Sequence, residues 1–319
     1  MSVESLFSKR LLMFTGKGGV GKSTIVASLA TLAARQNKRV LIVEIDTKSA
    51  MKQIFDVPHL GFEPLEIKER IWAINIDPKE ALEEYIEEHA KIHRLAQLIT
   101  RNKLLRYFFK TAPAVNELVT INRIYKLEQE KGLVGPRFDL ILVDMPATGH
   151  ALLFLQTPQM IKRLVKRGPL YKVVKKYDAL FNDAKRTMLN IVTLPEEMPV
   201  TETIEFFDKI KEEYTIPIGY LFVNGVPETV FDGDEEKLVM KLAQLAKSEE
   251  SNKVDSILDS GLDVLMRQRR FLEQMKRLQK SVKLLTFITP RLRTTKLRFK
   301  NISKLADVLT EAAPLAEEA

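Results

Sequence analysis

Residues 16–24, GKGGVGKST, constrain this chain more than any other stretch. They follow the apolar run 11–14 and open a second run, 24–36. In it Ile25, Val26, Leu29, Leu32 and Ala33 recur at helical spacing. Strand, glycine-rich loop, helix is the context in which such a loop grips phosphate. Glycines let backbone N–H groups converge on phosphate oxygens with no Cβ in the way, and the helix N-terminus adds the positive end of its dipole. The expected cradle is Gly16, Gly18, Gly19, Val20, Gly21, Lys22, Ser23 and Thr24. Within it Lys22 reaches the β- and γ-phosphates and the Ser23 hydroxyl ligates Mg²⁺.

Two carboxylates stand where a nucleotide site needs them. Asp46 closes the apolar run 39–46 (RVLIVEID), which reads as a strand buried on both faces. A carboxylate at the C-terminal edge of such a strand lies beside the ligand crevice and can orient an attacking water; a helix cap or turn aspartate is the alternative. Asp144 follows the apolar run 140–143, a Walker B arrangement that holds Mg²⁺ through water. Residues 144–150 (DMPATGH) then leave the strand as a loop punctuated by proline and glycine. Gly149 would let the backbone approach the γ-phosphate and change conformation on hydrolysis.

The remaining strands read at 71–76, 138–143, 189–194, 218–223 and 284–288. Helical patterns fill 79–131, 151–190, 203–214, 234–283 and 301–312. Alternating strands and helices predict an α/β fold, a doubly wound and mostly parallel sheet. The organisation expected is one domain over 1–319 with helical insertions at 79–131, 151–190 and 234–283.

Composition narrows the partners. The chain has no cysteine, which excludes disulfides, thiolate zinc sites and cysteine nucleophiles. No apolar run approaches the roughly 18 residues of a membrane helix. Lys9 and Arg10 interrupt any signal-peptide core, so a cytoplasmic protein is expected. The net charge of +8 is concentrated in part between Lys162 and Arg186. That stretch reads as a solvated face, or as a surface for anionic lipid because Leu164, Val165, Leu170, Val173 and Val174 interleave with the charges. Only Tyr171, Tyr177 and Phe181 are aromatic there, which argues against nucleic acid. His89 and His93 stand four apart on a helical pattern, but without the following glutamate of a metalloprotease they read as a solvated face.

A second lysine in the loop, Lys17, carries a resemblance. The form GKGGVGKST resembles the deviant Walker A loop shared by ArsA, MinD, ParA and the nitrogenase iron protein. Residues 144–155 (DMPATGHALLFL) resemble the switch II signature of the ArsA and guided-entry ATPase family. Residues 74–85 (INIDPKEALEEY), 193–206 (TLPEEMPVTETIEF) and 221–227 (LFVNGVP) agree with that family, and 289–292 (TPRL) fall where its C-terminal adenine-lining loop lies. The resemblance implies a cytoplasmic homodimer that hydrolyses ATP with Mg²⁺. Lys17 would then cross to the partner's nucleotide, Asp46 would be the switch I catalytic aspartate, and Asn224 and Pro290 would touch adenine. It further implies a hydrophobic or tail-anchored membrane-protein client, with Leu152, Leu153, Phe154, Leu155 and Met160, joined by Leu104, Leu105, Phe108 and Phe109, available for its groove; ordinary core is the alternative. The chain departs from the family after Asp46, where Thr47-Lys48-Ser49 replaces Pro-Ala-His. The missing cysteines exclude a three-thiolate arsenite site and a zinc clasp. A positioning ATPase of the MinD or ParA kind, acting on membrane or DNA, and a weakly hydrolysing regulatory scaffold are the other readings.

Overall fold

The computed structural model describes residues 3–45, 49–90, 114–246, 252–292 and 294–315. Eight strands form one sheet: β1 (Leu11–Thr15), β2 (Val40–Glu44), β3 (Leu65–Lys68), β4 (Ile71–Asn75), β5 (Leu140–Asp144), β6 (Thr187–Thr193), β7 (Ile218–Val226) and β8 (Thr286–Pro290). Their spatial order is β3-β4-β2-β5-β1-β6-β7-β8. Every pairing is parallel except β3 with β4 at one edge. The parallel sheet expected from the alternating pattern is therefore present.

Among the described residues the helices are α1 (Lys22–Arg35), α2 (Ala50–Ile54), α3 (Pro78–Ala90), α4 (Ala114–Gln129), α5 (Thr148–Leu164), α6 (Pro169–Phe181), α7 (Glu197–Glu213), α8 (Gly233–Ala246), α9 (Asn252–Ser281) and α10 (Phe299–Glu311), preceded by a 3-10 turn, Val3–Ser8. The central strands β1, β2 and β5 are apolar up to their last residue because helices cover both faces. Side chains alternate along β1: Leu12 and Phe14 enter one core, with α1 and α10, while Leu11 and Met13 enter the other, with α4 to α7 and the end of α9. In α10 the buried stripe is Ile302, Leu305, Ala306 and Leu309, spaced to lie on one helical face against α1. Burying each of its three large side chains contributes about 1.5–3 kcal/mol.

Three elements differ from the sequence expectation. The edge strand β3 is absent from the sequence expectation, since LEIK is only four residues long, exposes Leu65, Glu66 and Lys68 and buries Ile67 alone. Helix α7 begins at Glu197 rather than 203, because Pro199 falls in the first turn, where its missing N–H costs nothing. Helix α5 begins at Thr148, so Gly149 and His150 lie in its first turn instead of extending the loop. The foreseen groove side chains Leu104, Leu105, Phe108 and Phe109, together with His93, lie outside the described residues.

Candidate nucleotide site

Parallel strands deliver the ends of β1, β2 and β5 to one edge of the sheet. Phe14 and Glu44 both pair in register with Asp144. The chain leaving β1 turns at Gly16, where an added Cβ would lie 2.0 Å from the Val192 carbonyl oxygen of β6. Only glycine allows that approach. Gly21 has φ +91 and an added Cβ there would meet Asn224 Nδ2 at 2.1 Å. Gly21 also caps α1 with no side-chain hydrogen bond, so the first-turn N–H groups are left for a ligand.

The loop borders a cavity of about 360 Å³ lined by Gly18, Gly19, Gly21, Lys22, Ser23, Thr24, Glu44, Ile45, Ala50 and Asp144, with Met145, Pro146 and Ala147 completing its wall. Lys22 Nζ donates to the carbonyls of Gly16 (3.2 Å) and Lys17 (3.3 Å), curling over the loop. Ser23 Oγ donates to Asp144 Oδ2 at 2.5 Å. A hydroxyl and a carboxylate brought together on the cavity wall form an oxygen donor set, the chemistry Mg²⁺ accepts from proteins.

The other expected residues fall as follows. Val20 is buried and lends its carbonyl to Asn224 Nδ2 at 2.9 Å, while Thr289 Oγ1 donates to Asn224 Oδ1 at 2.9 Å. Asn224 thus bolts β7 and β8 to the phosphate loop. Pro290 is exposed, paired with Val226 at the end of β8. Lys17 points away from the cavity lining, its Nζ in an ion pair of 2.6 Å with Glu202 on α7 of the same chain. Asp46, Thr47 and Lys48 lie outside the described residues.

Glu44 escaped the sequence reading. It is the one charge inside an otherwise apolar strand, VLIVE, and that was the available signal. Its carboxylate is 2% exposed and accepts hydrogen bonds from Ala50 N (2.8 Å), Met51 N (3.0 Å) and the Ser49 hydroxyl. It therefore anchors the start of α2. Burial pushes its pKa from 4.5 up to about 7, with the neighbouring Asp144 adding to the rise and the three donors opposing it.

The basic 162–186 stretch does not present an apolar lipid face. Val174 is buried, and Val165, Leu170 and Val173 pack against the core, leaving Leu164 exposed. Of the foreseen groove residues, Phe154 and Leu155 are core, while Leu152, Leu153 and Met160 are half-buried.

Strand, glycine loop, helix and the carboxylate of the neighbouring strand, all at one edge of a mostly parallel sheet, define the fold of a phosphate-loop NTPase. The chain belongs to the anion-transporting ATPase (ArsA) family, whose model matches residues 9–172. It is 31% identical over 224 residues to the ATPase BagA of Mycobacterium tuberculosis, covering 67% of this chain and 64% of that protein. A putative arsenical pump-driving ATPase of Aquifex aeolicus is 25% identical, over 74% of this chain and 58% of its own length. An ATPase ASNA1 homolog of Entamoeba dispar is 27% identical, over 76% and 75%. The chain thus spans less than two thirds of the first two relatives.

Proposed function

We propose that this chain is an Mg²⁺-dependent ATPase that works as a homodimer and couples turnover to a hydrophobic client. The observation that carries the reading is the Ser23–Asp144 hydrogen bond on the wall of a cavity that the phosphate-loop residues line. ATP phosphates would replace the Gly16 and Lys17 carbonyls as partners of Lys22. Mg²⁺, held by Ser23 directly and by Asp144 through water, would neutralise charge on the β- and γ-oxygens. Asp46 would orient the attacking water. Lys17 would exchange Glu202 for the triphosphate of the second copy and there stabilise developing negative charge. Asn224 and Pro290 would border adenine. Phosphate release would be felt by Pro146 and Ala147 and passed to α5, which begins one residue later.

The client reading rests on exposed apolar side chains of the helical layer: Leu238 and Leu242 on α8, and Met266 and Leu272 on α9. That relatives include a putative arsenical pump-driving ATPase and an ATPase ASNA1 homolog is in keeping with this reading. We read the whole of 1–319 as one domain with helical insertions.

Turnover of the full chain, compared with Asp46→Asn and Lys17→Ala, tests the mechanism. Asp46→Asn is expected to lower the rate by about 100-fold or more. Lys17→Ala is expected to abolish both turnover and ATP-driven self-association. Equal, negligible rates in wild type and Asp46→Asn would replace the enzyme with an ATP-binding scaffold.

A further inference from the structure

The edge of the sheet opposite the phosphate cavity gathers basic residues that are far apart in sequence. Lys9-Arg10 precedes β1, Lys38-Arg39 precedes β2, Lys131 and Arg137 precede β5, and Lys185-Arg186 precedes β6. In the sheet these four strands are consecutive, in the order β2-β5-β1-β6. Backbone hydrogen bonds join the pairs: Arg10 N donates to Arg186 O (2.9 Å) and Asp139 N to Arg39 O (2.8 Å). With strands about 4.8 Å apart, the row spans about 15 Å.

The arginines and the lysines of this row behave differently. Arg10 and Arg186 both turn inward to Glu128, whose side chain is 3% exposed. Arg39 pairs with Asp139 and Arg137 with Glu130. Lys9 reaches only the Ala184 carbonyl, and no ion pair among the described residues engages Lys38, Lys131 or Lys185. Asp183 is occupied as a turn acceptor for the backbone of Lys185. Lys131 and Lys185 are exposed and Lys9 and Lys38 half-buried, with Lys38 near enough to Asp139 to help hold its carboxylate ionised.

Beside it stands a tight turn that exposes two aliphatic side chains. Lys131 and Pro136 bridge across its base, and Gly132 N donates to Gly135 O at 3.0 Å. Gly135 has φ +73, which closes the turn. At its tip Leu133 is 107% exposed and Val134 85%, the highest values among the large apolar side chains of the described residues. An added Cβ on Gly132 would lie 3.5 Å from Arg39 Nη1, so the tip adjoins the basic row.

We propose that this edge docks on an anionic lipid bilayer, with Leu133 and Val134 entering the acyl boundary and Lys9, Lys38, Lys131 and Lys185 meeting the headgroups. The combination selects the occupant. A stable protein interface needs about 800 Å² per partner, which two side chains on a projecting turn do not supply. A single-stranded nucleic acid needs stacking rings, and the tip carries none. A short aliphatic wedge collared by lysines matches a surface that is apolar inside and negative outside. The proposal stands apart from the nucleotide reading, because β1 separates this edge from the cavity by its five residues, about 17 Å.

Co-sedimentation of the full chain with vesicles tests it, using phosphatidylcholine alone and phosphatidylcholine mixed with phosphatidylglycerol. Wild type is expected on the mixed vesicles and not on the neutral ones. Leu133→Ser with Val134→Ser is expected to lower the bound fraction about tenfold. Lys38→Glu with Lys185→Glu is expected to lower it by a similar factor. Nucleotide affinity, read on the same samples, should stay at the wild-type value and shows that the variants are folded. Wild type absent from mixed vesicles, or equal binding by the serine pair, would overturn the proposal. So would displacement from the vesicles by short duplex DNA with the serine pair unaffected, which would assign the row to nucleic acid.

Discussion

The two ends of the sheet are built on opposite principles. At the C-terminal end the chain brings backbone close to backbone, removes side chains at Gly16 and Gly21, and leaves N–H groups of α1 without side-chain partners. At the N-terminal end it does the reverse. Long charged side chains knit the strand starts together through Glu128 and Asp139. Ligand chemistry therefore sits where polar groups are left unsatisfied, and fold-tying chemistry where they are matched.

Substitutions can break that contrast, and the largest effect is expected at Gly16. Gly16→Ala places a methyl 2.0 Å from the Val192 carbonyl, so either β6 or the loop must move. The expected result is a stability loss on the order of 4 kcal/mol together with lost nucleotide binding. Denaturant unfolding and a fluorescent nucleotide titration measure the two, and an alanine variant that binds normally would show the close approach to be dispensable.

Glu44 comes next. Its pKa lies near 7 in the fold and near 4.5 in an unfolded chain. The folded form therefore binds the extra proton, and the associated stability is full below about 4.5 and lost as pH rises through about 7. The span amounts to about 3 kcal/mol at most. Glu44→Gln should flatten the fall in stability over that window, measured without nucleotide; an unchanged slope would mean that the carboxylate is hydrated. At the opposite end, Glu128→Gln should cost about 2 kcal/mol, less than a fully buried pair because Arg10 and Arg186 are partly exposed and can rehydrate. Nucleotide affinity should not change, and a large change would erase the distinction between the two ends.

The same contrast explains what could be read in the sequence. The phosphate loop, Asp144 and seven of the eight strands follow from local pattern, because buried parallel strands are continuously apolar and the loop is defined by its glycines. The family assignment rested on such short contiguous stretches and is borne out by the match over 9–172. What escaped depends on partners distant in sequence. Glu202 meets Lys17 across 185 residues, Thr289 reaches the loop through Asn224, and the lysine row exists only once the topology sets β2, β5, β1 and β6 side by side. Glu44 was hidden for another reason: a charge inside an apolar strand was absorbed into the pattern around it. The apolar residues of 164–174 misled because alternation with lysine looks alike on a lipid-facing helix and on one half sunk into a core.

The hydrogen-bonded line from Val20 through Asn224 to Thr289 bears on any attempt to shorten this protein. A fragment cut after residue 172 would keep the glycine motif yet strip β1 of its neighbour β6 and deprive the loop of its brace. Recombinant trimming to a minimal nucleotide-gripping piece should therefore yield an aggregating polypeptide with a bare strand edge, and the part of the chain from β6 to β8 must travel with the motif for the grip to form.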